Sequence, residues 1–157
     1  MKRALLFSAV IFLSACGGDS KDEESEINLQ KLISENQQLW QSQELMDYQF
    51  TMQVRFTDCP VTDEIPAITY RVEDNEIVDA FMTETGVDID FEDALTISDW
   101  FFAFYAILLD DEITLTASSN DDSPPVFDST LGYPVNFAID YSSEQCDSYE
   151  YRIFDFN

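Results

Sequence analysis

The chain carries one stretch that decides its fold, Tyr48-Gln49-Phe50-Thr51-Met52-Gln53-Val54-Arg55-Phe56-Thr57. Every even-numbered position in this stretch is apolar, and every odd-numbered position is polar. A period of two is typical of a β-strand that buries one face against a core and leaves the other face in solvent. The stretch therefore predicts an antiparallel sheet with one covered and one solvated face.

The same alternation continues along the chain. Ile68, Tyr70 and Val72 predict a second strand, and residues 76–83 return as a third strand after a turn at Asp74-Asn75. Residues 112–118 predict a fourth strand. A closing hairpin is expected from the inward positions Val135, Phe137, Ile139, Tyr141, Tyr149, Tyr151 and Ile153.

Two segments have helical periodicity instead. Asn28 is expected to cap a first helix that runs to about residue 43, with an inner face of Leu29, Leu32, Ile33, Asn36 and Trp40. Thr96 and Asp99 resemble a capping box at the start of a second helix, which continues to about residue 109. The side chains of this helix expected to face the sheet are Ile97, Phe101, Phe104, Tyr105 and Leu108.

The second helix is apolar nearly all round, which has two interpretations. It is either buried under both the sheet and the first helix, or Phe102 and Leu109 contact a partner or a lipid surface. The whole order, α-β-β-β-α-β-β-β, predicts an α+β fold. Its antiparallel sheet of about six strands has both helices packed on one face.

The N-terminus predicts a lipid anchor. Lys2 and Arg3 precede an apolar run over residues 4–13, which is roughly half the ~20 residues that a spanning helix needs. The run ends in Leu13-Ser14-Ala15-Cys16, the pattern of a bacterial lipobox. The alternative is an ordinary secretory signal followed by a chance cysteine.

A lipobox divides the chain into three parts. Residues 1–15 are a signal peptide, residues 16–27 are the lipidated cysteine and a flexible acidic tether, and residues 28–157 are one globular domain. Acyl chains such as palmitate on Cys16 would hold that domain on the membrane. Gly17-Gly18 follows where an inner-membrane retention signal would place Asp, which favours the outer membrane, facing the periplasm.

The charge excludes one class of partner. The chain has 7 basic against 32 acidic residues, and loss of Lys2 and Arg3 with the signal would take the net charge from −25 to −27. Such a surface repels phosphate backbones, so we expect no nucleic-acid binding. It suits solubility, or the binding of cations and basic partners.

Two cysteines remain beside the anchor. Cys59 and Cys146 predict a disulfide in an oxidising envelope. The alternative, a catalytic cysteine, lacks a partner base because the chain contains no histidine.

The polar positions of the predicted strands carry Arg55, Arg71 and Arg152, together with Gln49 and Gln53. These five residues form a candidate recognition surface for a carboxylate or phosphate group. The alternative is a ladder of cross-strand charge pairs, each contributing under about 1 kcal/mol.

The loop near residue 90 offers weak candidates for a Ca²⁺ site, namely Asp88, Asp90, Glu92 and Asp93. Their spacing begins like an EF-hand loop but lacks its mid-loop glycine and final glutamate. A solvated acidic loop is therefore the favoured interpretation. Asp140 is expected to accept hydrogen bonds from nearby backbone donors.

No catalytic motif is present. The chain has no histidine, no G-x-S-x-G and only 4 glycines, so neither zinc chemistry nor a phosphate-binding loop is expected, and no cofactor is predicted. We expect a non-enzymatic binding or structural accessory domain with a possible envelope protein partner. The alternative function is Ca²⁺ binding or the sensing of a small ligand. A carboxylate pair acting as a hydrolase is a third hypothesis.

Several short pieces resemble one family, the domain-of-unknown-function 6174 family of small bacterial lipoproteins. The resemblance implies an envelope lipoprotein with this strand order, and the family has no assigned activity to carry over. Many members look as if they carry a second cysteine beside the one after the first strand, whereas here Cys59 stands alone. The matching pieces are Leu39-Trp40, Tyr48-Gln49-Phe50, Cys59-Pro60, Tyr70-Arg71-Val72, Asn75-Glu76-Ile77-Val78, Thr96-Ile97, Leu131-Gly132-Tyr133-Pro134, Ile139-Asp140 and Tyr151-Arg152-Ile153-Phe154-Asp155-Phe156.

Overall fold

The computed structural model of the chain describes residues 20–59, 65–142 and 144–157, with the side chains of the first helix described from Asn28 onward. Within these ranges the chain forms two helices and seven strands. The helices are α1 (Ser20–Ser42) and α2 (Ile97–Ile107). The strands are β1 (Tyr48–Phe56), β2 (Ile68–Glu73), β3 (Glu76–Met82), β4 (Thr114–Thr116), β5 (Val126–Phe127), β6 (Pro134–Asp140) and β7 (Ser148–Phe154).

All seven strands belong to one antiparallel sheet, which confirms the predicted α+β fold. The sheet order is β3-β2-β1-β7-β6-β4, and the short β5 pairs with β6. Strands β1 to β3 form a meander, α2 then carries the chain to the opposite edge, and β7 returns to the centre beside β1. The two-residue β5 is the strand that the sequence pattern does not predict.

The even-numbered residues of β1 lie on the covered face of the sheet, as their alternation predicts. Phe50 is fully buried opposite Tyr70 of β2, and Met52 is opposite Ile153 of β7. Both helices pack on this face, which we call the helix face. Apolar side chains from both helices and from six strands form one core on it.

Helix α2 begins as its sequence predicts. The Thr96 hydroxyl accepts from the backbone N–H of Asp99, and the Asp99 carboxylate accepts from the backbone N–H of Thr96. The inner face of the helix differs from the prediction, because Trp100 and Ile107 are buried while Tyr105 and Leu108 are half-buried. Tyr105 instead reaches α1, where its hydroxyl donates to Gln37.

Helix α1 differs from the prediction at its start. It begins at Ser20, so Asn28 does not cap it, and residues 20–26, predicted as part of a flexible spacer, are helical. Its inner face agrees with the pattern, since Ile33 and Trp40 are buried. No helix among the described residues is both long and apolar enough to cross a membrane.

One extra residue at the end of β7 moves a large side chain to the helix face. Thr51 is opposite Phe154, and Gln49 exchanges both backbone hydrogen bonds with Asn157. The chain therefore advances three residues after Phe154 where β1 advances two. Asp155 accommodates the extra residue in the left-handed conformation, with φ 49°. This β-bulge places Phe156 among the core aromatics, where strict alternation from Phe154 would put it on the opposite face.

Candidate functional site

The predicted recognition residues all lie on the helix-free face of the sheet. Gln49 is opposite Arg71, Gln53 is opposite Arg152, and Arg55 is opposite Glu150. Because directly opposed residues share a face, the sequence pattern correctly places these side chains together.

Two of the three guanidinium groups lie in ion pairs. An Arg55 nitrogen is 2.6 Å from a Glu150 carboxylate oxygen, and Arg71 lies 3.4 Å from Asp79 and 3.8 Å from Glu73. The Arg55 and Arg71 side chains are about half exposed, so solvent screens these pairs. This is the geometry of the charge ladder, the alternative to a recognition surface.

Arg152 is placed differently. Its guanidinium carbon lies 5.4 Å from the ring centre of Phe154, which is a cation–π contact. It also lines a shallow pocket of about 200 Å³ together with Gln53, Arg55 and Glu150. Arg152 is therefore the most available cation of the predicted surface.

A hydroxyl row separates this pocket from the Gln49–Arg71 pair. Thr51 and Thr69 are both buried, and their hydroxyls are 3.0 Å apart. The Thr69 hydroxyl is in turn 2.9 Å from that of Thr83. The predicted recognition surface is thus two polar patches rather than one continuous site.

The acidic loop does not form a metal centre among the described residues. No group of three or more Cys, Asp or Glu side chains there is placed to hold a metal ion. The Asp90 carboxylate accepts from the backbone N–H of Glu92, and Asp88 pairs with Phe81 through a β-bridge. These two residues of the loop therefore have separate local roles, Asp90 through its carboxylate and Asp88 through its backbone.

The predicted disulfide is present. Cys59 and Cys146 are bonded, with 4.7 Å between their Cα atoms and 87 residues between them in sequence. In the chain-entropy account, a loop of this length stabilises the fold by about 4.5 kcal/mol. This bond joins the end of β1 to the turn before β7.

Asp58 supports the same corner. Its carboxylate accepts hydrogen bonds from the backbone N–H groups of Cys146, Asp147 and Ser148. Partial desolvation raises the pKa of Asp58, but these three bonds outweigh that effect and hold the pKa below its ordinary value. Asp140, for which the sequence predicts an acceptor role, is exposed at the end of β6. Among the described residues it is Asp58 that accepts three backbone hydrogen bonds.

A cleft of about 730 Å³ opens on the helix face between α2, the loop before it and the sheet. We call it the aromatic cleft. Tyr70, Trp100, Tyr141 and Tyr151 line it, and the acidic side chains Asp90, Glu92 and Asp93 lie along it. Its volume is in the range of small-molecule sites, about 300–1,000 Å³.

The chemistry of the cleft wall is unusual for a packed core. The Trp100 indole N–H is buried without a hydrogen-bond partner in the part of the chain that the structure describes. Burial alone raises the pKa of Tyr70, and burial followed by the neighbouring Tyr141 raises the pKa of Tyr151. The sequence pattern identifies Tyr70 and Tyr151 as inward positions, but it does not distinguish a core residue from a cleft wall.

Four of the pieces that carry the family resemblance meet at one structural corner. Trp40 of α1 packs edge-on against Tyr48 and Phe156, with ring centres 5.2 Å and 5.7 Å away. Tyr133 stacks on Phe156 at 4.6 Å. These four rings join α1, β1, the segment before β6 and the segment after β7.

Hydrogen bonds extend this corner to the second helix. The Trp40 indole N–H donates to the Ser98 hydroxyl, which donates to the Asn75 side-chain oxygen, each over 3.2 Å. Asn75 has φ 62° in the β2–β3 turn and donates its backbone N–H to the Met46 carbonyl. The shared pieces thus fix the junction of both helices with the sheet.

Gly132 explains a further part of the motif. Its φ is +84°, and an added Cβ would lie 2.4 Å from the Asn36 carbonyl oxygen and 2.9 Å from the Trp40 backbone nitrogen. Only glycine lets this turn approach the α1 backbone so closely. Gly132 therefore serves both the turn and the close packing of this segment against α1.

This architecture defines a disulfide-bonded α+β domain with a helix-covered antiparallel sheet and one aromatic cleft among its described surfaces. The family of unknown function DUF6174 matches residues 32–157, and the chain belongs to that family. A search of curated proteins and a search of solved structures each found no match. The predicted lipobox and Cys16 lie outside the described residues.

Proposed function

We propose that the chain is a bacterial envelope lipoprotein whose domain is a non-catalytic binding or structural accessory, anchored through Cys16. The observation that carries this proposal is Leu13-Ser14-Ala15-Cys16 at the end of a short apolar run. Two or three acyl chains give stable membrane attachment, which one chain does not. Gly17-Gly18 favours the outer membrane as the destination, with the domain in the periplasm.

The fold supports the compartment. The Cys59–Cys146 disulfide closes a long loop, and such structural disulfides persist in oxidising surroundings. The fold also supports a binding role, because its two candidate surfaces consist of paired arginines and of aromatic side chains.

Metabolic labelling with an alkyne analogue of palmitate tests the anchor. We expect the full chain to take up the label and to fractionate with the outer membrane. Cys16→Ser should abolish labelling, because no other thiol lies at the lipobox. The matched control replaces the other two cysteines, Cys59→Ser with Cys146→Ser, and should keep the label. An unlabelled chain that washes off membranes would refute the proposal.

A small-ligand role is the second candidate, and the aromatic cleft favours it. The cleft is large enough for a small organic molecule, whereas the acidic loop shows no described metal cluster. Calorimetric titration with millimolar Ca²⁺ tests the cation-binding version. A saturable Ca²⁺ isotherm would favour cation binding, and a flat isotherm would rule it out.

A protein partner is tested in intact cells. Phe102 of α2 and Leu109, two residues after its end, are 67% and 88% exposed. The helix is therefore not buried all round. Crosslinking of the whole protein in intact cells, followed by identification of the captured proteins, would show whether the domain contacts an envelope protein. Capture that is unchanged in Phe102→Ser with Leu109→Ser would argue against this surface.

A further inference from the structure

The aromatic cleft combines ring faces and negative charge. Five aromatic residues line it: Tyr70, Phe91, Trp100, Tyr141 and Tyr151. Such rings carry negative potential on their faces and attract organic cations, with Trp and Tyr the most effective. Tyr141 is 41% exposed, so at least one of these rings is open to solvent.

The charged groups along the cleft are all acidic. Asp90, Glu92 and Asp93 line it, and no Lys or Arg is among its lining residues. The chain as a whole has a net charge of −25. An anionic ligand would meet repulsion from both the cleft and the domain, whereas a cationic ligand would be attracted by both.

The apolar part of the wall calls for an organic ligand. Met52, Ile68 and Ile139 of the sheet also line the cleft. A bare metal ion could not gain from burial against such side chains, but an organic body could, at about 25 cal/mol per Å² of apolar surface.

We propose that the aromatic cleft binds an organic cation with an aromatic or aliphatic body. The body lies against the aromatic and aliphatic wall, and the ammonium group lies toward the acidic side chains. This inference rests on the proposed binding role and names its ligand class.

Three phenylalanine derivatives of similar size test the charge requirement. At pH 6, phenylalaninamide is a cation, N-acetylphenylalaninamide is neutral, and N-acetylphenylalanine is an anion. Each has an aromatic ring and an amide carbonyl. Calorimetric titration uses the full-length protein in non-ionic detergent, with micelles alone as the blank. We expect saturable binding of the cation, about tenfold weaker binding of the neutral compound and no saturable binding of the anion.

Two charge variants locate the site. The cleft variant carries Asp90→Asn, Glu92→Gln and Asp93→Asn, and should weaken binding of phenylalaninamide about fivefold or more. The matched control carries Asp110→Asn, Asp111→Asn and Glu112→Gln, and should change it less than about twofold. The control is well matched because Asp110 accepts from the Glu112 N–H as Asp90 accepts from the Glu92 N–H.

Ring variants separate stacking from charge. Tyr141→Phe should retain the affinity for phenylalaninamide, since the ring remains, and Tyr141→Leu should lower that affinity several-fold.

Equal binding of cation and anion, no saturable binding of the cation, or equal effects of the two charge variants would overturn the inference. The palmitate-labelling experiment measures the anchor separately, so a failure of the ligand class and a failure of the anchor give different results.

Discussion

The Tyr48 hydroxyl oxygen accepts a hydrogen bond of 3.1 Å from the backbone N–H of Ile97, the first residue of α2. The first strand of the sheet thus supplies an acceptor to the start of the second helix. Helix N-termini leave their first N–H groups without intrahelical partners, so this bond satisfies a donor that burial would otherwise isolate.

Tyr48→Phe should therefore destabilise the domain by about 1–2 kcal/mol, because the buried Ile97 N–H loses its acceptor. Burial is the main reason that the pKa of Tyr48 is raised, from 10.0 to about 12. A folded-state pKa above the unfolded value gives stability that is present below about pH 10 and lost as pH rises toward 12. Urea unfolding between pH 7 and 11 measures both effects.

The variant should lose less stability than the parent over the alkaline part of this range. Tyr149→Phe, a half-buried position on the same sheet face, is the control and should change the unfolding free energy by less than about 0.5 kcal/mol. If the unfolding free energy of Tyr48→Phe and of the parent fell equally with pH above pH 10, the titration of Tyr48 would not be the cause of the fall.

Gly132→Ala should be among the most damaging single changes in the domain. The added Cβ would lie 2.4 Å from the Asn36 carbonyl oxygen at a backbone φ of +84°. We expect a loss of about 3 kcal/mol or more from strain and displacement of α1. Urea unfolding measures the loss.

Gly86→Ala is the matched control. Gly86 also has a positive φ, +67°, but an added Cβ would meet nothing within 4 Å. Its cost should be conformational only, about 1 kcal/mol. Similar losses for the two variants would mean that the contact with α1 is not what requires glycine at position 132.

Asp58→Asn should lower stability at neutral pH and flatten its fall in acid. The parent carboxylate has a lowered pKa because three backbone N–H groups donate to it, against the opposing effect of desolvation. Its contribution is present above the unfolded pKa of about 4 and is lost as pH falls through the lower folded value. Thermal unfolding from pH 2 to 6 tests this, with exposed Asp111→Asn as the control. If the stability of Asp58→Asn fell as steeply as that of the parent between pH 6 and pH 2, the prediction would be wrong.

Arg55 and Glu150 should be weakly coupled. Their side chains keep 54% and 24% of their surface exposed, so a double-mutant cycle to Ala should give less than about 1 kcal/mol. Arg55→Ala with Arg71→Ala should leave the fold intact and is also the test of a recognition surface. Unchanged pull-down partners after this double substitution would leave only the charge ladder.

Local signals in the sequence predict most of the fold. The period-two alternation from Tyr48 sets the strand faces, and Thr96 with Asp99 sets the start of α2, because each signal acts over a few neighbouring residues. The disulfide is also predicted, since only two cysteines remain after the anchor.

Long-range packing supplies the rest. β5 has two residues and exists through its pairing with β6, so it leaves no period to detect. Phe156 joins the core because Asp155 has a left-handed conformation. Alternation alone would place Phe156 on the wrong face of the sheet. The aromatic cleft needs α2, its preceding loop and the sheet together, so Tyr70 and Trp100 look like ordinary core residues in the sequence.

The position of β7 has a consequence for the order of folding. β1 pairs with β2 on one side and with β7 on the other, and β7 is the last strand of the domain in sequence. Until β7 arrives, the early meander presents an open edge, and Cys59 cannot meet Cys146. The domain should therefore fold as a single late event, with oxidation of its thiols marking completion rather than guiding the first steps.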